Sequence, residues 1–264
     1  MIAGGNVDGG EDEMTEIVEL LKTNSTPSFG QIPSKRSRPV GTWFGAPLIC
    51  GGSSDTKEVF DTCIFYDPHF EFWYQSHSLT VNRYASTGVQ INSTTFWMLG
   101  GTSELSHLDS KEFIGTSEFS HLDSTEFIIQ GQNHGVPGPI LPYGIYAMCA
   151  VKRSENEIFV IGGENKSSAK KGYNNAVWIY DPQNGFARTQ GPSLTIARID
   201  HSCSIMKDGM KTLIIIAGGS NNGQLDSVEI YDPTNNIWHS GKNKFPITQK
   251  YWFKYLEVKI NQNA

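Results

Sequence analysis

Arg198 to Gly241 reads RIDHSCSIMKDGMKTLIIIAGGSNNGQLDSVEIYDPTNNIWHSG. Four short β-rich segments, IDHSCSIM, TLIIIAGG, LDSVEIYDP and NIWHSG, are separated by Gly, Asp and Asn turns. This alternation predicts a four-stranded antiparallel sheet, whose strands we letter a to d. Gly218-Gly219 closes strand b, where a sharp turn needs the positive φ that only glycine adopts cheaply. Asp232-Pro233 closes strand c, because proline has no N–H for the ladder.

Outward from this stretch the same punctuation recurs. Gly-Gly pairs stand at Gly4-Gly5, Gly51-Gly52, Gly100-Gly101, Gly162-Gly163 and Gly218-Gly219, at intervals of 47, 49, 62 and 56 residues. A period of this size marks stacked supersecondary units. The interval of 62 has a visible cause: GTSELSHLDSKEFI (101–114) is followed at once by GTSEFSHLDSTEFI (115–128), identical at 12 of 14 positions. Each copy carries LDSxE, as in Leu225 to Glu229, and so encodes a loop plus strand c. The second copy is expected to stay in its sheet, leaving the first as an insertion between strands b and c.

Gly-Gly followed by Tyr231 and Trp238 resembles the kelch motif, the mark of kelch β-propellers. Gly51-Gly52 leads in the same way to Tyr66 and Trp73, and Gly162-Gly163 to Tyr180 and Phe186. The first and third repeats depart further, with TEIV (15–18) and TEFI (125–128) as strand c. The resemblance covers nearly the whole chain. It implies an all-β fold of four-stranded antiparallel blades, about five in number, in a single domain spanning 1–264. The paired aromatics are expected to be core, filling the wide outer space between blades. The chain opens at the end of a strand b, and Lys250 to Ile260 falls where a strand a is due, so pairing of Lys254 to Ile260 with Ile2 and Ala3 would close the ring. A fragment of a longer propeller remains the alternative.

The net charge of −6 and pI near 5.6 argue against a nucleic-acid surface, which needs a basic stripe. No apolar run approaches the ~20 residues of a membrane span. MIAGG has neither the charged region nor the apolar core of a secretory signal. Cys50, Cys63, Cys149 and Cys203 lack CxxC spacing, which fits buried thiols in a reducing, cytoplasmic compartment, although Cys50 and Cys63 could meet across neighbouring strands. Sequons begin at Asn24, Asn92 and Asn165, a number that chance alone supplies in so Asn-, Ser- and Thr-rich a chain.

No GxSxG, phosphate-binding loop or HExxH occurs, and the seven histidines show no ligand spacing. The expectation is a non-enzymatic protein-binding module without cofactor or metal. In kelch propellers the b–c and d–a loops form one face, and the resemblance places the partner there. From b–c loops the candidates are Ser53, Ser54, Asp55, Glu164, Asn165, Lys166, Ser220, Asn221 and Asn222; from d–a loops they are Arg36, Arg38, Arg83, Tyr84, Arg198 and His201. Arginine and tyrosine are hot-spot types, so an acidic or hydroxyl-rich peptide is expected, the competing role of each arginine being an inter-blade hydrogen bond. Two other readings are the propeller portion of a cullin-RING ubiquitin-ligase substrate adaptor without its BTB and BACK region, and a galactose-oxidase-like enzyme domain. The chain shows no motif onto which the copper ligands of the latter could be carried.

Overall fold

A computed structural model describes residues 2–3, 17–19, 28–103, 121–167 and 170–241. Strands β1 (Ile2–Ala3), β2 (Ile17–Glu19) and β3 (Ser28–Gln31) form a three-stranded sheet, with β2 where strand c was expected. Next come β4 (Val40–Trp43), β5 (Pro47–Cys50), β6 (Thr62–Asp67) and β7 (Phe72–Ser78), then β8 (Thr87–Asn92), β9 (Thr95–Leu99), β10 (Thr125–Ile129) and β11 (Val136–Pro137). Each group of four is one antiparallel sheet in sequence order. The last strand of the second sheet is cut to two residues in a segment crowded with Pro137, Pro139 and Pro142.

The chain continues through β12 (Ile145–Tyr146), β13 (Cys149–Ser154), β14 (Glu157–Ile161), β15 (Glu164–Ser167), β16 (Lys170–Tyr173), β17 (Val177–Asp181) and β18 (Ala187–Gln190). Of these, β13-β14-β17-β18 make the third four-stranded sheet, and β12, β15 and β16 a small one. The fourth is the stretch quoted at the outset, as β19 (Ser202–Asp208), β20 (Lys211–Ala217), β21 (Val228–Asp232) and β22 (Ile237–Ser240). Contacts divide the chain, expected as one domain, into two compact units, Met1–Ala147 with Glu164–Gly172, and Met148–Gly163 with Tyr173–Ala264.

In the first unit, Val40, Phe44, Leu48, Cys50, Cys63, Leu79, Phe96, Met98 and Ile128 form the core between the first two four-stranded sheets. The corresponding core of the second unit holds Phe159, Ile161, Val177, Leu194, Ile214, Ile216, Tyr231 and Trp238. Burial of each such side chain contributes about 1.5–3 kcal/mol. Tyr66, Tyr180 and Tyr231 are all buried at one strand-c position, and Trp73 and Trp238 lie opposite the first and last of them, with ring centroids 5.5 and 5.2 Å apart.

Phe186 does not take the place of those tryptophans. Asp67 pairs with Phe72 and Asp232 with Ile237, but Asp181 pairs with Ala187, one residue further on. That longer turn contains a 3-10 segment, Pro182–Asn184, and leaves Phe186 in a left-handed conformation before the strand. Arg188 consequently faces Tyr180 and lies over the Trp178 ring at 5.1 Å.

The second copy of the duplication supplies β10. Most of the first copy (104–114) lies outside the described residues, as does the tail expected to close the ring. The cysteines depart from the expectation of free thiols: Cys50 is joined to Cys63 and Cys149 to Cys203, with Cα separations of 4.0 and 6.1 Å. Register is the reason for the first pair, which stands directly opposite across β5 and β6; the second joins strand a of two successive sheets.

Candidate functional site

The loop ends of the blades are built on one repeated tie. Arg83 lies four residues before β8 and is fully buried. Its Nη1 donates to the Gly100 and Ser124 carbonyls, and its Nη2 to Ser124 Oγ and, at 2.6 Å, to Glu126 Oε1. Glu126 also accepts from the backbone N–H of Thr80 at 2.6 Å. Arg198 repeats the set in the second unit, donating to the Gly218 and Ser227 carbonyls, Ser227 Oγ and Glu229 Oε1, while Glu229 accepts from the N–H of Thr195 and Ile196. The main chain of each arginine reaches the preceding sheet: Gly52 N–H donates to the Arg83 carbonyl and Gly163 N–H to the Arg198 carbonyl, both at 2.9 Å. A Cβ added at Gly51 would stand 2.4 Å from the Arg83 carbonyl oxygen, so close approach as well as φ selects glycine.

Two sheets lack the carboxylate, and a proline accompanies each loss. The position of Glu126 and Glu229 is held by Ile64 beside β5 and by Trp178 beside β14. Where Thr80 and Thr195 give an N–H to the carboxylate, three residues before the arginine, the other sheets have Pro33 and Pro142. Proline has no N–H to offer, so carboxylate and donor leave together. In one case Ile145 also replaces the arginine and Ala176 the serine. In the other Arg36 remains, held by the Gly51 and Thr62 carbonyls and stacked 4.2 Å over Phe60. Burial lowers the Arg36 pKa to about 10, against the pull of Asp61. Glu126 and Glu229 were not among the expected residues. Their signal was the joint occurrence of SLTVNR (78–83) with DSTE (123–126) and of SLTIAR (193–198) with DSVE (226–229).

Above this tie the loops are clipped to each other. Ser37 and Ser53, Tyr84 and Thr102, and Ile199 and Ser220 exchange reciprocal backbone hydrogen bonds of 2.8–3.1 Å. One residue later each d–a loop carries a non-glycine residue at positive φ, namely Arg38, Ala85, Ala147 or Asp200. Such conformations persist where surroundings over-determine them.

Of the residues expected to contact a partner, Arg36, Arg83, Arg198, Ser53 and His201 are buried. The arginines and Ser53 tie the loop scaffold together and His201 packs against Gly162 and Gly219, so none of the five forms the outer surface. Arg38, Tyr84, Asn165 and Asn221 are half-buried, with the Arg38 guanidinium 5.7 Å above the Tyr84 ring. Beside them Asp55, Thr56, Lys57 and Glu58 in one loop, and Asn222, Gly223 and Gln224 in another, are exposed. In the first unit Tyr146 Oη donates to Glu164 Oε2 at 2.5 Å, and His121 meets the Tyr146 ring edge-on at 4.6 Å. Among the described residues no three His, Cys, Asp or Glu side chains are grouped to hold a metal ion, and no helix is long and apolar enough to cross a membrane.

Repeated Gly-Gly turns, sheets in a-b-c-d order and paired strand-c and strand-d aromatics define the class as a kelch-type β-propeller fold. A Kelch motif profile matches residues 209–244. A solved structure titled "Structure of YjhT" superimposes with a TM-score of 0.71 at 14% identity, covering 92% of this chain and 84% of that one. A sequence search of curated proteins found no match. The chain thus has the fold of a kelch-type β-propeller.

Proposed function

We propose that the chain is a non-enzymatic module that binds a protein or peptide partner on the loop ends of its blades. The observation carrying this reading is the contrast between what repeats and what does not. Gly-Gly and the clipped loop backbones recur from sheet to sheet, and the buried arginine in all but one of the four-stranded sheets, whereas the exposed residues above them differ, DTKE (55–58) in one loop and NGQ (222–224) in another. A rigid scaffold displaying dissimilar loops is how binding surfaces are commonly built. With three of the four arginines committed inside the blades, the outward positive charge comes from Arg38, Lys35 and Lys57, interleaved with Asp55 and Glu58. The matching partner is a polar, hydroxyl-rich peptide more than a strongly acidic one.

The test is quantitative affinity capture with three forms of the protein. One is unchanged, one carries Asp55→Ala and Glu58→Ala, and one carries Phe70→Ser on the outer turn of its sheet. Partners enriched by the unchanged protein should be lost with the loop variant and kept with the outer variant. Loss with the outer variant alone contradicts the assignment.

A further inference from the structure

We propose that Asn92 is an N-glycosylation site and that the protein matures in an oxidising compartment. The sequon Asn92-Ser93-Thr94 forms the exposed turn between β8 and β9. Within it Asn92 Oδ1 accepts from the Thr94 backbone N–H at 2.9 Å and from Thr94 Oγ1 at 3.1 Å. Both donors engage the amide oxygen, which draws electron density from the group and makes the Nδ2 hydrogens more acidic. The hydroxyl residue that defines the acceptor motif is therefore already folded onto the acceptor amide.

The second, independent observation is the cysteine pairing. All four cysteines are joined, at Cys50–Cys63 and Cys149–Cys203, and none is left free. Disulfides of this structural kind persist in oxidising compartments and are rare where glutathione and thioredoxin act. N-glycosylation is likewise a modification of secreted proteins. The other two sequons lack the combination: Asn165 is half-buried in β15 with its backbone paired to Ile145, and Asn24 lies outside the described residues.

The step is a glycosyl transfer from a lipid-diphosphate-linked oligosaccharide, supplied with its transferase by the compartment. A bond forms between Asn92 Nδ2 and C1 of the first sugar as the bond from C1 to the diphosphate oxygen breaks. The lipid diphosphate leaves with the electron pair, and Nδ2 loses one proton. The attached glycan projects from a turn at which Asn92, Ser93 and Thr94 are all exposed, so the sheet need not open to receive it.

The experiment uses the protein isolated from its own cells, digested with and without reduction and treated with peptide N-glycosidase in heavy-oxygen water. Asn92 should be recovered as heavy-oxygen aspartate, with both disulfide-linked peptides present before reduction. A Thr94→Ala variant made in the same cells should lose the label and migrate faster by one step, while Thr94→Ser should retain both properties. Recovery of Asn92 only in unmodified form overturns the site. Recovery of all four cysteines as thiols overturns the compartment on which it rests.

Discussion

Arg83 and Glu126 are both fully buried, so their value to the fold lies in being kept together. Burial lowers the Arg83 pKa and Glu126 opposes that shift. Removing one member leaves a buried charge without its partner, a loss of about 3–5 kcal/mol. Glu126→Ala should therefore lower stability by that amount in urea unfolding. At the corresponding sequence positions of another repeat, Pro142, Ile145 and Trp178 stand where Thr80, Arg83 and Glu126 do, so donor, cation and carboxylate are all replaced there. The triple variant Thr80→Pro, Arg83→Ile, Glu126→Leu, which removes donor, cation and carboxylate together, should cost less than the single change. A greater cost would mean that the ion pair is a net source of stability. His201 provides a second test at this scale. Burial, with the Arg198 charge adding to it, pushes its imidazole down to about 3, against the pull of the Ile161 carbonyl. The unfolded chain has the ordinary value of about 6.5 and so takes up a proton that the folded protein refuses. Stability is full above about pH 6.5 and falls as the pH drops toward 3, by up to about 1.4 kcal/mol per unit. Urea midpoints across this window should decline less steeply in His201→Gln, and an unchanged slope would contradict the assignment.

At the scale of the element, the duplication offers a clean comparison. Deleting 101–114 joins Gly100 to Gly115-Thr116-Ser117, the same residues as Gly101-Thr102-Ser103, and leaves β10 intact. The melting midpoint should move by no more than the roughly 2–4 °C that about 1 kcal/mol produces in a chain of this size. A much larger fall would show that the first copy supports the sheet. The blades were legible because Gly-Gly, Asp-Pro and a strand-c tyrosine each act locally: a positive φ, a missing N–H and a side chain on one face. Phe186 was not, because one extra residue in the turn after Asp181 shifts the pairing, and spacing from Gly-Gly does not register that insertion. The buried arginines were legible as residues but not as ties. Their partners lie 31 and 43 positions away, and only the packed sheet shows that a serine and a glutamate two apart converge on one guanidinium.

For the whole molecule, the disulfides bear on stability as well as compartment. Cys149–Cys203 spans 54 positions and Cys50–Cys63 spans 13. In the chain-entropy account, the longer loop contributes about 1 kcal/mol more. The pair Cys149→Ala, Cys203→Ala should thus lower the melting midpoint more than Cys50→Ala, Cys63→Ala, and the reverse order would mean that local packing outweighs loop closure. Function was the least legible property, since a loop selected for contact carries no pattern of its own. The proposed function assigns the partner a location, which can be read directly by amide hydrogen exchange on the intact protein with and without the partner isolated by capture. Protection on binding should concentrate at 53–59 and around Tyr84, leaving 68–76 unchanged. Protection confined to 68–76 would contradict the proposed placement of the binding surface on the loop ends.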